Sequence, residues 1–451
     1  MIVKNESSML KRCLESIQPI ADELIIVDTG STDNTIEIAH SFDATVIQSG
    51  WKNDFAFARN LSIRAAKGTW IAWFDGDDRL TPESIAEIHR LKQSKPACVY
   101  GFIVRNQKPG GTGSEFIQAR MFPNRPDIFF ERPIHEQIML SAMRAGLTMT
   151  NTAITVEHYG YADPATMIIK SKRNIAILLS SIDQKNPDPI TALEIADGCT
   201  ITGDIALAKE WYERVLLIPD CMRAFPEILS SAYLGLARMQ IDQKQYVSAI
   251  LHLEQALALA PRRVDVRFSL AVAYEKSGSE SEAIKQFELI LNAEEKAGIV
   301  SVDFRETRLK TIIRITRLLC DQKLFDRALS IIDNGLRVFN ERPELNNCRG
   351  MVYVRSGKLM DALHAFELSL KTAAAGNLNA YIGLCVVYVK AGKREIAIQA
   401  LENIRNEFVT FNKYWAYYSI VKDSIRFDIP VECSVEKVAE EVEQIKSLYG
   451  L

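Results

Sequence analysis

The sequence predicts an α/β domain over residues 1–161, a linking helix and proline-containing linker over residues 162–189, and an all-α solenoid over residues 190–451. Two observations support this prediction. Before residue 161, unbroken apolar runs typical of buried strands alternate with amphipathic helical segments. After residue 189, the helical segments come in pairs, and an alanine recurs at intervals that are most often about 34 residues.

The composition is that of a folded globular protein. The chain has 451 residues, of which 47% are hydrophobic and 25% are charged, and its net charge is −3. The charge is spread along the chain, so the sequence predicts no basic face for nucleic acid. No apolar run reaches the roughly 18 residues of a membrane span. The N-terminus lacks the apolar stretch of a signal peptide, and the eight cysteines contain no C-x-x-C pair. We therefore expect a cytoplasmic protein with reduced thiols.

The first domain alternates strands with helices. Its predicted strands lie at residues 1–3, 23–28, 44–48, 69–74, 97–105 and 115–122, with helices at about 8–17, 33–39, 54–67 and from 82 onward. This order predicts a mostly parallel sheet with helices on both faces. In such sheets, ligands bind outside the carboxyl ends of the strands.

Polar clusters follow three of these strands, at residues 4–6, 28–33 and 75–78. The third cluster holds Asp75, Asp77 and Asp78. Carboxylates this close repel one another, and their burial is costly without a counter-charge. A divalent cation such as Mg²⁺ or Mn²⁺ is the simplest compensation. One such cluster alone is more often a solvated acidic turn, but three clusters on one rim of a sheet indicate a site.

Four motifs follow one another along the first domain: IVKNE at residues 2–6, IVDTGSTDNT at 26–35, WxxDFxxARN at 51–60 and FDGDD at 74–78. Together they resemble family 2 glycosyltransferases of the GT-A fold, including the subgroup of the bacterial sublancin-type peptide S-glycosyltransferase. The resemblance covers roughly residues 1–161. It implies inverting transfer of a sugar from a UDP-linked donor, with Mn²⁺ or Mg²⁺, to a peptide, protein or glycan acceptor. Family members usually carry several apolar residues before the position of Ile2, so a short first strand is expected here.

The resemblance also implies roles for single residues. Asp28 would contact the nucleobase, uracil, from an exposed strand end, and Arg59 would lie near the base or the diphosphate. Asp75 would lie closer to the ribose, and Asp77 would reach the metal. Asp78, at a position that varies in the family, receives no role. The residues implied in nucleotide-sugar binding are Asn5, Glu6, Asp28, Gly30, Arg59, Asp75 and Gly76.

The pair of residues 135–136 and a later segment around residue 158 imply the catalytic base and the third metal ligand. Inverting transfer needs a base for the acceptor proton, and Glu136 is the candidate. His135 would bind phosphate or orient Glu136. His158 is the candidate third metal ligand beside Asp75 and Asp77. Taken alone, a histidine of this kind is more often a core or surface residue.

The second half shows the tetratricopeptide pattern of paired helices. An alanine recurs six times, with a turn residue five positions before it and a large apolar residue four positions after it. The turn residues are Gly203, Lys244, Gly278, Lys323, Gly357 and Gly392, the alanines are 208, 249, 283, 328, 362 and 397, and the apolar residues are Tyr212, Leu253, Phe287, Ile332, Phe366 and Leu401. About six such hairpins must stack into a solenoid to bury their apolar faces, and residues 431–451 are predicted to cap it. The concave face would bind a peptide acceptor, or the repeats would serve packing and homo-oligomer formation.

Two functions from different classes fit this sequence. The first is a metal-dependent transferase whose acceptor is held partly by the repeats. The second is an inert transferase-like domain that carries a repeat scaffold for protein–protein interaction. Retention of Asp28, Arg59, Asp75, Asp77 and His158 favours the enzyme, because an inert domain has no physical reason to keep adjacent repelling carboxylates.

Overall fold

The computed structural model describes residues 1–107, 115–160, 164–219, 221–294, 303–339, 342–373, 377–393 and 395–397. The chain divides into two compact units. One contains Met1–Gln286 and the described residues of Asn292–Thr307, and the other contains Phe287–Leu291 and the described residues from Arg308 onward. The predicted fold class, an α/β domain followed by helical repeats, is confirmed. The boundaries at residues 161 and 189 stay a prediction.

The strands form two sheets. They are β1 (Ile2–Val3), β2 (Ile25–Asp28), β3 (Thr45–Gln48), β4 (Trp70–Ala72), β5 (Asp78–Leu80), β6 (Val99–Asn106), β7 (Glu115–Pro123) and β8 (Met149–His158). The first sheet has the order β1-β2-β3 and is parallel throughout. The second has the order β4-β7-β6-β8-β5, and only β6 and β8 pair in parallel. The expectation of one mostly parallel sheet is therefore wrong. Short connections such as the one from β6 to β7 produce antiparallel neighbours, and β4 and β5 join that sheet.

Helices cover the sheets and complete the core of the α/β domain. They are α1 (Leu10–Ile17), α2 (Thr35–His40), α3 (Phe55–Ala65), α4 (Pro82–Lys92) and α5 (Met139–Arg144), with a 3₁₀ turn at Gln18–Ile20. The apolar residues of α1 recur at helical spacing, so Leu10, Leu14 and Ile17 all face inward. They pack in one cluster with Ile26 of β2 and Phe102 of β6. This core fixes where the carboxyl ends of β1, β2 and β4 lie.

Beyond the α/β domain, every described element is a helix. They are α6 (Pro164–Ser181), α7 (Pro189–Thr202), α8 (Ile205–Leu217), α9 (Cys221–Ala224), α10 (Pro226–Asp242), α11 (Tyr246–Leu259), α12 (Val264–Lys276), α13 (Glu280–Leu291), α14 (Phe304–Asp321), α15 (Phe325–Phe339), α16 (Pro343–Arg355), α17 (Leu359–Thr372) and α18 (Leu378–Lys390). The short helix α9 accounts for one of the longer repeats. Leu401 and the predicted capping helix at residues 431–451 lie outside the described residues.

The repeat signature has a physical basis in the structure. All six predicted turn residues have left-handed backbones, with φ between +60° and +84°. Each turn therefore ends one helix and starts the next. All six recurring alanines are fully buried. A small side chain at that position lets the two helices of a pair approach closely, which confirms the tetratricopeptide prediction.

Candidate active site

The loop after β2 is built by hydrogen bonds from side chains to its own backbone. The carboxylate of Asp28 accepts the amide N–H groups of Gly30 and Ser31 at 3.0 and 3.1 Å. The side-chain oxygen of Asn5 accepts the amide N–H of Thr32 at 2.8 Å. Gly30 has a φ of +105°, a conformation that favours glycine. The structure thus brings Asn5, which follows β1, into contact with the loop that contains Asp28 and Gly30.

Asp28 differs from the expectation in one respect. It was expected on an exposed strand end, but the residue is only 3% exposed. The physical reason is that its carboxylate turns back onto the amides of the following turn, as Asp side chains do in Asx turns. Its structural role in the loop is therefore visible, whereas contact with a nucleobase stays a prediction.

An acidic turn follows β4, and Asp78 organises it. Asp78 is 2% exposed and accepts the amide N–H of Asp75 at 2.7 Å. The same carboxylate accepts Nη1 of Arg120 at 2.7 Å. Its other oxygen lies 2.9 Å from Nδ1 of His158 at the end of β8. A residue with no expected role is thus the link between the acidic turn, β7 and β8.

Two arginines stack on the ring of Trp73 and supply positive charge to the acidic turn. The guanidinium carbons of Arg59 and Arg120 lie 4.0 and 3.8 Å from the ring centroid. The Nη2 of Arg59 donates to Asp75 Oδ1 at 2.7 Å, and its Nε donates to Glu136. Both arginines are buried. Buried guanidinium groups paired in this way offset the repulsion among the carboxylates.

The carboxylates of the turn differ in their electrostatic environment. Burial alone would raise the pKa of Asp75, but the charges of Arg59 and Arg120 outweigh it and hold that pKa well below its usual range. The pKa of Asp77 is instead raised, by burial and by the negative charges of Asp75 and Asp78, with His158 offsetting part of the effect. Asp77 is therefore the carboxylate of this turn whose charge is least compensated by the protein.

His158 completes a group of possible metal ligands. Single ligand atoms of Asp75, Asp77, Asp78 and His158 all lie within 4.8 Å of one another. Burial would lower the pKa of His158, but its hydrogen bond to Asp78 and the charges of Asp77 and Asp75 raise it above the ordinary value. The predicted metal residues Asp75, Asp77 and His158 thus meet in one corner of the domain.

Two glycines leave room in this corner. A Cβ added at Gly160 would lie 2.4 Å from Asp77 Oδ2 and 2.6 Å from His158 Nε2. The position of that Cβ therefore lies between the two side chains, where it would displace them. A Cβ added at Gly76 would lie 3.1 Å from Cγ of Glu6. Gly76 thus lets the acidic turn approach Glu6, whose pKa is raised to about 7 by burial and by the charge of Asp77.

Glu136 and His135 lie on a separate segment that reaches the same corner. Arg59 bridges Glu136 and Asp75, so the candidate base and the acidic turn share one guanidinium. His135 has a left-handed backbone, with a φ of +51°. Burial, helped by the charge of Arg132, lowers the pKa of its imidazole. It does not join the group of possible metal ligands found among the described residues.

Sequence reasoning missed Trp73, Arg120 and the structural role of Asp78. In the sequence, Trp73 looks like an ordinary residue of a buried strand. In the structure, its indole N–H donates to the carbonyl of Ala119 at 2.8 Å. Arg120 lies inside β7, 42 residues after its partner Asp78. A charged residue between the apolar residues Ala119 and Met121 is the one sequence signal that could have indicated it.

The fold shows an α/β domain with a cluster of possible metal ligands, followed by helical repeats. Residues 1–150 match the family described as glycosyl transferase family 2, and residues 240–298 match a tetratricopeptide repeat. The chain therefore carries a family 2 glycosyltransferase domain at its N-terminus and tetratricopeptide repeats after it.

Individual proteins are similar over part of the chain. A TPR repeat-containing protein of Synechococcus elongatus is 32% identical over 223 residues, which are 48% of this chain and 55% of that protein. The SPbeta prophage-derived glycosyltransferase SunS of Bacillus subtilis strain 168 is 30% identical over 194 residues, 42% of this chain and 46% of that protein. The chain thus spans about half the length of these relatives.

Among solved structures, a tetratricopeptide repeat protein from Parabacteroides merdae aligns over 57% of this chain and 92% of that chain. The TM-score is 0.44 and the identity is 15%, a similarity too low to support further argument. Within the described part of the chain, no helix is both long and apolar enough to cross a membrane.

Proposed function

We propose that this protein is a metal-dependent, inverting glycosyltransferase that moves a sugar from a UDP-linked donor to a peptide, protein or glycan acceptor. The observation that carries the proposal is the meeting of Asp75, Asp77, Asp78 and His158 within 4.8 Å, in a domain of glycosyltransferase family 2. Relatives named as glycosyltransferases support the same activity.

The donor atoms in this corner fit Mn²⁺ or Mg²⁺. Asp78 already accepts hydrogen bonds from Asp75 and Arg120, and it holds Nδ1 of His158. Asp75, Asp77 and the other ring nitrogen of His158 are then the groups that would hold a cation, with Asp78 orienting the imidazole as carboxylates commonly do around metal sites. When bound, the cation supplies positive charge that offsets the charge developing on the departing diphosphate.

The remaining groups surround this corner. Arg59 has a buried Nη1 that lacks a hydrogen-bond partner among the described residues, a donor suited to an oxygen of the nucleotide sugar. The loop of Asp28 and Gly30, with Asn5 and Glu6 after β1 and Gly76 after β4, forms the proposed binding surface for the nucleotide. Glu136 would accept the proton of the acceptor nucleophile while Arg59 holds its carboxylate in place.

A panel of nucleotide sugars, incubated with the protein and Mn²⁺ and analysed by mass spectrometry, tests the proposal. We expect metal-dependent hydrolysis of one UDP-sugar, lost in Asp77→Asn and retained in the surface control Asp127→Asn, whose carboxylate pairs with Arg125 away from the corner. Absence of turnover with every donor, in protein that binds neither Mn²⁺ nor UDP, would contradict the proposal and favour an inert domain that carries a repeat scaffold.

A further inference from the structure

The segment that carries His135 and Glu136 has an unusual backbone. Arg132 and His135 both have left-handed backbones, with φ of +79° and +51°. Residues other than glycine adopt this conformation at an energetic cost, and they keep it where surrounding contacts hold it. Contacts from outside the segment must therefore maintain the direction in which Glu136 points.

One set of contacts comes from the α/β domain itself. The amide N–H of Phe55, at the start of α3, donates to the carbonyl of Pro133 at 2.9 Å. At the end of the segment, Glu136 accepts the Nε of Arg59, which also donates to Asp75. These contacts connect the segment to α3 and to the acidic turn after β4.

The other set of contacts comes from the first helices of the helical region. Ile134 is 2% exposed and packs in one cluster with apolar residues of α6, α7 and α8. The Nη2 of Arg132 donates to Thr191 Oγ1 at 2.8 Å and to Glu194 Oε2 at 2.9 Å, both on α7. The side chains of Arg132 and Glu194 are 14% and 16% exposed. This ion pair is thus largely removed from water. In such an environment the strength of an ion pair depends strongly on its geometry.

A contact between α6 and α3 adds to the packing of the α/β domain against the first helices of the helical region. The guanidinium of Arg173 on α6 lies 5.1 Å from the ring centroid of Phe55. Phe55 and Trp51 also pack against the cluster that contains Ile134. The start of α3, which leads to Arg59, is therefore supported by the same helices that hold the segment at residues 132–136.

We propose that Glu194 of α7, through Arg132, is a positioning residue that holds Glu136 toward Arg59 and the acidic turn. This inference rests on the proposed function for the role of Glu136 in transfer. It makes the first repeat helix part of the catalytic unit, in addition to any role of the repeats in binding the acceptor. A chain cut near residue 185 would lack this support.

The test uses the full chain with Glu194→Gln and Arg132→Gln, and with Arg132→Lys as the conservative variant. Glu210→Gln is the matched control, because Glu210 also pairs with an arginine on a repeat helix, α8, but in a largely exposed position. Assays run at pH 8, since burial raises the pKa of Glu194 to about 7. The measured quantities are kcat, the KM for the UDP-sugar, Tm, and amide hydrogen exchange in residues 131–137.

We expect kcat to fall about ten- to hundredfold in Glu194→Gln and Arg132→Gln, because a small displacement of a reacting group has effects of this size. The KM should stay near that of the wild type, Arg132→Lys should recover part of kcat, and Glu210→Gln should behave as the wild type. Exchange should rise in residues 131–137. An unchanged kcat would overturn the inference. So would a fall in kcat that is accompanied by a rise in KM and a fall in Tm.

Hydrogen exchange separates this inference from the proposed function. Suppose that the wild type turns over no donor, but Glu194→Gln still raises exchange in residues 131–137 and not around Asp75. The proposed function then fails, while the link by which Glu194 and Arg132 hold residues 131–137 in place is supported. Unchanged exchange in that segment would overturn the link whether or not transfer is detected.

Discussion

Two acidic regions of the α/β domain follow strands in the same way but use their carboxylates differently. In the loop after β2, Asp28 and Asp33 accept hydrogen bonds from nearby backbone and hydroxyl groups. Hydrogen bonds from Thr35 and Ser7 hold the pKa of Asp33 well below its usual range. In the turn after β4, burial and like charges raise the pKa of Asp77.

The comparison shows that an acidic residue after a strand has no single meaning. Where backbone N–H groups converge on the carboxylate, it shapes a loop. Where a buried carboxylate lies beside other carboxylates and only His158 offsets part of its charge, as at Asp77, the charge is left for a cation.

The largest effect is expected from Asp77→Asn. Loss of a partner that only orients a metal ligand costs about 10–100-fold in metal affinity, so loss of a direct ligand should cost at least about 100-fold. Titration with Mn²⁺, followed by electron paramagnetic resonance, measures it. Asp33→Asn is the control and should leave Mn²⁺ affinity within about twofold, because its carboxylate accepts the N–H of Thr35 and is not among the possible metal ligands found in the described residues. Equal losses in both variants would erase the distinction between the two regions.

Gly160→Ala should lower Mn²⁺ affinity by about 10–100-fold, because its Cβ would displace Asp77 and His158. Its backbone lies outside the left-handed region, so Tm should change little. Gly146→Ala provides the opposite pattern. Gly146 has open space around it but a φ of +79°, so the variant should lose stability and keep its Mn²⁺ affinity. A fall in Tm without loss of metal affinity in Gly160→Ala would place the cation elsewhere.

The pH dependence of metal binding has a defined sign. A cation needs the neutral imidazole, and the pKa of His158 is raised, so Mn²⁺ affinity should fall by about tenfold per pH unit below that raised pKa. In metal-free protein, the raised pKa values of His158 and Glu6 contribute stability at low pH that is lost as the pH rises, for Glu6 through about 7. Thermal unfolding between pH 5 and 8, with and without Mn²⁺, checks both signs. Because the lowered pKa of His135 acts in the opposite direction, Glu6→Gln isolates the contribution of Glu6, and an equal loss of stability toward pH 8 in that variant and in the wild type would contradict the sign given for Glu6.

The smallest effect on the metal is expected from Asp28→Asn. The asparagine amide keeps one acceptor oxygen but lacks the negative charge that strengthens the hydrogen bonds from the N–H groups of Gly30 and Ser31. The free energy of unfolding should fall by about 1–2 kcal/mol. Urea denaturation measures this change, and Mn²⁺ titration should give the wild-type affinity. Normal stability with weakened metal binding would mean that the loop belongs to the metal site.

Local sequence patterns sufficed to predict the repeats and the acidic turn. Lys244 and Lys323 were placed at turns by their spacing alone, and both have left-handed backbones with φ of +60°. A turn residue and a buried alanine are set by the geometry of one helix pair, so each repeat carries its own signal.

Contacts between distant strands could not be predicted in this way. The pair of Arg120 and Asp78 depends on the antiparallel register of β4 with β7, and the support of Arg132 by Glu194 spans 62 residues. The burial of Asp28 was missed because the same residue type after a strand can face either solvent or its own turn. These features follow from tertiary packing, which a single sequence does not display.

Calorimetric titration of UDP into the full chain, with Mn²⁺ and with EDTA, tests most directly whether the corner of Asp75, Asp77 and His158 binds a cation that holds the nucleotide. We predict that UDP affinity in EDTA is at least about 100-fold weaker than in Mn²⁺, and that Asp77→Asn in Mn²⁺ resembles the wild type in EDTA. Equal UDP affinity with and without metal would show that Asp75, Asp77 and His158 do not hold a cation that binds the nucleotide.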